Sequence, residues 1–153
     1  MTVAALQDLE LTRDYNVPVD RLWQAVTQPD QIVQWFGPEG VDIDSCIMDF
    51  TKTGPWMCDM VGKESGDHFK VSGQITHVRP PVKAEGSVGF TWAWHGPDGK
   101  RGPESHVIFE VTSNGDKARF RLIHRELENA EMAQEHSRGW LSTLTKLDAF
   151  LSA

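Results

Sequence analysis

No apolar run in the chain approaches the ~18–20 residues that a membrane-spanning helix requires, so no membrane association is expected. Residues 1–16 lack a basic region followed by an apolar core, which is how a secretory signal is built; the expectation is a cytoplasmic protein. Basic residues are the minority charge, 15 Lys and Arg against 22 Asp and Glu, for a net charge of -7. Nucleic-acid phosphates are gripped by Lys and Arg concentrated on one face, so that class of partner is disfavoured. Cysteine is scarce, with only Cys46 and Cys58. Their spacing is not a zinc pattern, and no HxH or HExxH spacing occurs, so neither a metal nor a cofactor is expected. In a reducing compartment both cysteines should be buried free thiols. If the intervening segment is a hairpin turning at Thr51-Lys52-Thr53-Gly54, the two face each other or lie one pair apart, and a redox bridge is within geometric reach. Repeats, low-complexity segments and linkers are absent too. The 153 residues therefore read as one domain spanning 1–153. A chain of that size buries roughly 70% of its unfolded surface and needs no covalent staple.

What is present is periodicity. Leu9, Leu11, Arg13 and Tyr15 share one parity in residues 9–16, with polar residues between them; this is a half-buried strand. Pro18 suits a first helical turn. Val19, Leu22, Trp23 and Val26 follow at helical spacing, which predicts a short helix over 18–27. Pro29 starts a second helix carrying Ile32, Val33, Trp35 and Phe36, stopped by Gly37-Pro38. From there the period drops to two. Strands are predicted at 41–50, 56–62, 68–79, 86–95, 105–112 and 117–125. Their punctuation includes Pro80-Pro81, Pro97-Asp98-Gly99 and Asn114-Gly115-Asp116, of which Asn114-Gly115 is the clearest hairpin signal. Consecutive strands on short turns pair antiparallel, with one dry face and one wet face. Val88, Phe90, Trp92 and Trp94 share a face, as do Ala118, Phe120, Leu122 and His124.

A long helix over about 128–151 closes the chain, with Met132, His136, Trp140, Leu144, Leu147 and Leu151 in one stripe. Such a stripe has to be buried, and the dry face of the sheet is the only large partner. The fold class is thus α+β, a curved seven-stranded antiparallel sheet around a long C-terminal helix, with two short helices after strand 1. The leucine half of the stripe should pack tightly. The half carrying His136, Gly139 and Trp140 should leave a looser, partly polar space.

Several of these segments resemble a known family. Leu11-Thr12-Arg13, Leu22-Trp23-Gln24-Ala25-Val26-Thr27 after Pro18, and Trp35-Phe36-Gly37-Pro38 resemble the opening of small homologues of the activator of the 90-kDa heat-shock protein's ATPase. These belong to the SRPBCC superfamily, START-like and Bet v I allergen-like, with the helix-grip fold. Gly73-Gln74-Ile75-Thr76-His77-Val78-Arg79-Pro80-Pro81 resembles the family's middle strand and turn, and Gly139-Trp140 with Leu144 and Leu147 its last helix. Members often carry Gly-Gly before the Trp of the third strand, where this chain has Thr53-Gly54-Pro55-Trp56. The usual Arg-rich third strand is replaced by Trp56-Met57-Cys58-Asp59-Met60. The family has no universal catalytic residues, so the resemblance implies a fold and a cavity rather than a reaction.

The expected function is binding of a small hydrophobic or aromatic molecule between sheet and C-terminal helix, at Trp56, Cys58, Trp92, Phe120, His124, His136 and Trp140. No catalytic residue is assigned. His124 and His136 are expected to be inward-facing and shielded. They would fix a polar group of the ligand or, in a polyketide cyclase-like enzyme, act as acid and base; otherwise they are satisfied core histidines. A third reading is a chaperone partner. Trp35 and Phe36 would gate the cavity mouth or anchor the short helix. His77 shares parity with Val71, Gly73 and Ile75 and would face inward unless a bulge reverses it. Lys117, Arg119, Arg121 and Arg125 read as the wet face of a strand. The open sheet leaves an edge free for homodimerisation.

Overall fold

The alternating segments become seven strands of a single antiparallel sheet in the computed structural model, which describes residues 6–152. The strands are β1 (Gln7–Tyr15), β2 (Val41–Ile47), β3 (Gly54–Gly62), β4 (His68–Val82), β5 (Glu85–Trp94), β6 (Ser105–Asn114) and β7 (Lys117–Leu127). Their spatial order is β1-β7-β6-β5-β4-β3-β2. Strands β2 to β7 thus form a meander, and β1 adds beside β7. The chain reaches the opposite edge through α1 (Val19–Thr27) and α2 (Pro29–Ile32). Helix α3 (Ala130–Ser152) closes the fold. Its N-terminus is capped by Asn129, whose Oδ1 accepts from the Met132 N–H at 2.9 Å; this satisfies one orphan amide of the first turn.

The outer face carries the basic stripe, and acidic partners neutralise it. Arg119 pairs with Asp14 at 2.8 Å. Arg121 bridges Glu10 and Glu110. These three strands, β1, β7 and β6, lie side by side, so the pairs run across the sheet as cross-strand contacts.

Several boundaries differ from the sequence reading, each for a local reason. Helix α2 stops at Ile32, and Trp35 and Phe36 lie beyond it. Strand β2 ends at Ile47, and a register shift between Ile43 and Ser45 lets Ile43 and Cys46 both turn partly inward. Residues 48–50 leave the sheet and fold beneath α1, where the Phe50 N–H donates to the Thr27 carbonyl at 3.0 Å. Pro80-Pro81 does not end β4. The strand continues to Val82, and the turn falls at Lys83-Ala84, both at positive φ (56° and 81°). The β6–β7 turn is centred on Gly115-Asp116, because Asn114 pairs with Lys117. Only Gly115 there has positive φ, at 69°, which is the two-residue hairpin with glycine first. A register shift between Ile75 and His77 turns His77 outward, where its Nε2 meets Ser87 Oγ at 3.0 Å.

Cys46 and Cys58 are direct partners across the β2–β3 hairpin, and both are free. Burial pushes the Cys58 thiol up to about 12. A thiol that resists ionisation is a poor nucleophile.

The concave face has two tenants. Helix α3 packs nearest β1 and β7, while α1 packs against β4, β6 and β7. Under α1 and the segment at residues 48–50 lies an aromatic core. Phe50 stacks against Phe90 at 4.7 Å and Trp56 at 5.7 Å, and Phe90 meets Phe109 at 5.0 Å. Trp35 is fully buried there and its Nε1–H donates to the Ala25 carbonyl at 2.8 Å. It anchors the short helices to the sheet.

Candidate functional site

One part of the concave face is left unfilled. A cavity of about 280 Å³ lies beneath the N-terminal half of α3. Strand β5 supplies Trp92 and Trp94 as its floor, and β3 supplies Met60. Helix α3 supplies Met132, His136, Gly139 and Trp140 as its roof, and the segment after α2 supplies Phe36, Gly37 and Pro38. The sequence produces this shape directly. The stripe of α3 carries no large side chain at Gly139, and a Cβ built there would meet nothing within 4 Å. Glu135, the exposed member of the lining, marks the side open to solvent.

The wall after α2 is tied down rather than loose. The Lys146 ammonium donates to the carbonyls of Phe36 at 3.4 Å and Gly37 at 3.3 Å. The Glu39 N–H donates to Ser142 Oγ at 2.8 Å. Gly37 has φ +87°, and an added Cβ would lie 2.7 Å from Met60 Sδ. The backbone conformation favours glycine there, while the close contact falls on a flexible methionine side chain.

Two histidines stand behind and within this site, their rings 4.9 Å apart and nearly perpendicular. His124, from β7, has no exposed surface. The Trp140 indole N–H donates to its Nδ1 at 3.0 Å. The ring is therefore the neutral Nε2–H form, and Nε2 meets Ser105 Oγ at 2.7 Å. Ser105 Oγ in turn donates to the Trp92 carbonyl at 3.3 Å. Burial pushes the His124 imidazole down to about 3, with smaller contributions from His136 and His106. His136, from α3, is the opposite tautomer. The Trp94 indole N–H donates to its Nε2 at 3.0 Å, so Nδ1 carries the proton and donates to the Met132 carbonyl at 2.8 Å. Each histidine thus accepts from a tryptophan and donates to an oxygen. All four ring nitrogens are engaged.

Of the seven residues expected to line the cavity, the structure brings Trp92, His136 and Trp140 to it. Trp56, Cys58, Phe120 and His124 lie outside this lining. The reason is the second tenant: α1 and residues 48–50 fill the half of the hollow into which Trp56 and Phe120 point. Trp56 is opposite Gly73, whose missing side chain leaves the Thr91 carbonyl open to the Trp56 indole N–H at 2.9 Å. Phe120 packs on Phe109 at 5.3 Å. His124 is the satisfied core histidine, one layer behind the lining. Of the pair at the cavity mouth, Phe36 lines the space while Trp35 does not. The sequence reading missed Met60, Met132 and Thr143. Met132 was already on the inward stripe of α3, and that spacing was the available signal.

His95 Nε2 lies 2.8 Å from Ser72 Oγ, and His106 Nε2 faces Thr76 Oγ1 at 3.4 Å. Among the described residues, Asp44, Asp59 and His68 bring three metal-type donor atoms within 4.8 Å of one another. This group lies on the outer rim, away from the cavity, and His68 Nδ1 already meets Asp59 at 3.2 Å.

Residues 16–152 match the family described as Activator of Hsp90 ATPase homolog 1-like protein. The chain belongs to this family. It is 47% identical to the AHSA1 protein from Silicibacter pomeroyi, over 95% of this chain and 98% of that one, with a TM-score of 0.88. A protein from Chromobacterium violaceum is 16% identical over 94% and 96% of the two chains, with a TM-score of 0.77. CalU16 from Micromonospora echinospora is 22% identical over 96% and 77%, with a TM-score of 0.66. The last two likenesses concern the fold alone. No curated protein matches the sequence. No helix among the described residues is long and apolar enough to cross a membrane. The AHSA1-like fold thus appears here in its helix-grip form, with the seven-stranded curved sheet and the long C-terminal helix that the sequence patterning predicts.

Proposed function

We propose that this AHSA1-like protein binds a small aromatic or hydrophobic molecule in the cavity between β5 and the N-terminal half of α3. The observation that carries the reading is the cavity itself, about 280 Å³ and lined by Phe36, Trp92, Trp94 and Trp140. That volume is near the bottom of the ~300–1,000 Å³ range of ligand pockets, so it suits a molecule of one to three rings rather than a long acyl chain. Aromatic walls offer edge-to-face and offset contacts to a flat guest. Burying roughly 250 Å² of ligand surface stabilises a complex by about 6 kcal/mol before association costs. Affinity for an unoptimised probe therefore falls in the micromolar to millimolar range.

The bonding of the histidines favours binding over catalysis. A general base needs a free lone pair and a general acid needs a transferable proton within reach of the ligand. His124 offers neither, because its nitrogens are engaged by Trp140 and Ser105 and its ring lies outside the cavity lining. His136 lines the cavity, but its nitrogens are engaged by Trp94 and Met132. Their role is to hold Trp94 and Trp140 in fixed orientations as cavity walls. Native mass spectrometry of freshly purified protein, with extraction of any retained molecule, is the direct test. Quenching of tryptophan fluorescence by naphthalene derivatives is the complement, since three indoles line the space. A folded protein that retains no small molecule and responds to none of these probes up to their solubility limits would falsify the reading.

A further inference from the structure

The β2–β3 hairpin carries both cysteines of the chain, and a single irregularity brings them together. Its first three pairs are Val41 with Gly62, Asp42 with Val61 and Ile43 with Met60, a register that would continue to Cys46 opposite Met57. The shift between Ile43 and Ser45 moves the pairing by one residue, so Cys46 stands opposite Cys58 instead. It also turns Cys46 to the inner face, because a one-residue change of register exchanges the faces of a strand. Cys58 has no exposed surface, and Cys46 packs half-buried against the same core cluster. Direct partners in an antiparallel pair have Cα atoms about 4.5 or 5.5 Å apart, depending on the type of pair. Both distances lie within the ~4.4–6.8 Å that a disulfide spans. We propose that Cys46 and Cys58 are a modification site, a dithiol that a small disulfide of the glutathione class oxidises reversibly to a cross-strand bond.

The two thiols have different parts in the exchange. Strand β2 is an edge of the sheet, with no strand beyond it among the described residues, so Cys46 is the thiol that a reagent reaches first. Its thiolate attacks one sulfur of the small disulfide, forms a mixed disulfide and releases one small thiol. Cys58 is shielded, and burial pushes its thiol up to about 12, so it does not start the reaction. Held opposite Cys46, it needs no diffusional encounter, and this proximity offsets its low thiolate fraction. Cys58 gives up its proton and attacks Cys46 Sγ, and the second small thiol leaves. The two protein sulfurs are oxidised, the small disulfide is reduced to two thiols, and the two protons lost by the protein end on them. Cβ atoms of direct partners are ~4.5–5.5 Å apart, against ~3.5–4.5 Å in a disulfide. Closure therefore draws the edge strand slightly toward β3, and excess free thiol reopens such a bond.

The purified protein is equilibrated with excess oxidised glutathione and quenched with acid. Mildly alkaline pH is used, because burial raises the Cys46 thiol as well. The intact mass should fall by two hydrogens, with no glutathione retained. Trypsin cuts between the cysteines at Lys52, and the two resulting peptides should stay joined until a reductant is added. Excess reduced glutathione should restore both thiols. Cys58→Ser should instead stop at the mixed disulfide, with glutathione held on Cys46, and folded Cys46→Ser should remain unmodified. The wild-type mass and peptide map stand even where a variant fails to fold. Wild-type protein that retains glutathione on Cys46, forms the bond only between chains, or keeps both thiols free overturns the proposal.

Discussion

The two halves of α3 use one helical stripe for opposite ends. In the C-terminal half, Leu144 and Leu147 have no exposed surface and Leu151 is 8% exposed. The Tyr15 hydroxyl donates to Asp148 Oδ1 at 2.7 Å and ties this half to β1. The Arg21 guanidinium covers the Phe150 ring at 5.0 Å. In the N-terminal half, the same stripe carries Met132, His136 and Gly139, and the space beneath remains unfilled. The two are separated by the Trp140–His124 hydrogen bond. Branched side chains on the stripe produce close packing, and glycine on the stripe produces a site. The helix needs the first half to be stable enough to tolerate the second.

The largest expected effect comes from damaging the packed half. Leu147→Ala removes a fully buried side chain whose surroundings are held by neighbouring leucines, so the gap cannot close completely. The loss should be about 2–5 kcal/mol, read as a fall in the urea midpoint. Met132→Ala at the other end borders space that already exists and should cost less than about 1 kcal/mol. Comparable losses for the two variants would mean that the halves are packed alike.

The boundary between the halves should show in the pH dependence. His124 is held down to about 3 by burial, whereas in the unfolded chain it titrates near ~6.5. Between those values the unfolded state binds more protons than the native state. The contribution of His124 is therefore fully present above pH ~6.5 and is lost as pH falls toward 3. His124→Gln should cost about 2 kcal/mol at pH 7 through the weakened bonds to Trp140 and Ser105. Because glutamine does not titrate, the gap between wild type and variant should narrow as the pH is lowered from 6.5 to 4. Urea unfolding at several pH values measures this directly, and parallel curves would remove His124 as the titrating group.

Most of the frame was readable in the residues. Parity in β1, β5 and β7 and the stripe of α3 placed Tyr15, Trp92, His124 and Trp140 inward, and Gly139 marked the loose end. The division of the hollow was not readable. Residues 48–50 carry Met48 and Phe50 at strand parity, and nothing local distinguishes a strand end from a plug that folds under α1. That plug is why Trp56 and Phe120 became core and Trp94 became wall. Register shifts hid the rest. His77 is turned outward by an irregularity that depends on how β4 and β5 pair, and pairing is a tertiary property. Hydrogen-bond completion is likewise invisible in sequence. Trp92 and Trp94 sit two residues apart on one face, yet one donates to His136 and the other is left without a partner.

The smallest expected effect on stability is the most informative for function. Gly139 lies in the middle of α3 with open space where its side chain would be. Replacing glycine with leucine inside a helix gains roughly 0.8–1 kcal/mol in propensity, and the new side chain would project into the cavity. Gly139→Leu should therefore melt at the wild-type temperature or slightly above it. Its affinity for naphthalene probes should nevertheless fall at least tenfold, because the volume needed by the guest is occupied. Leu147→Ala should give the reverse pattern, with reduced stability and retained binding below its unfolding midpoint. This opposition separates a ligand site from a merely soft end of the molecule. If Gly139→Leu binds probes as the wild type does, the guest is not held under the N-terminal half of α3, and the contrast between the two halves concerns packing alone.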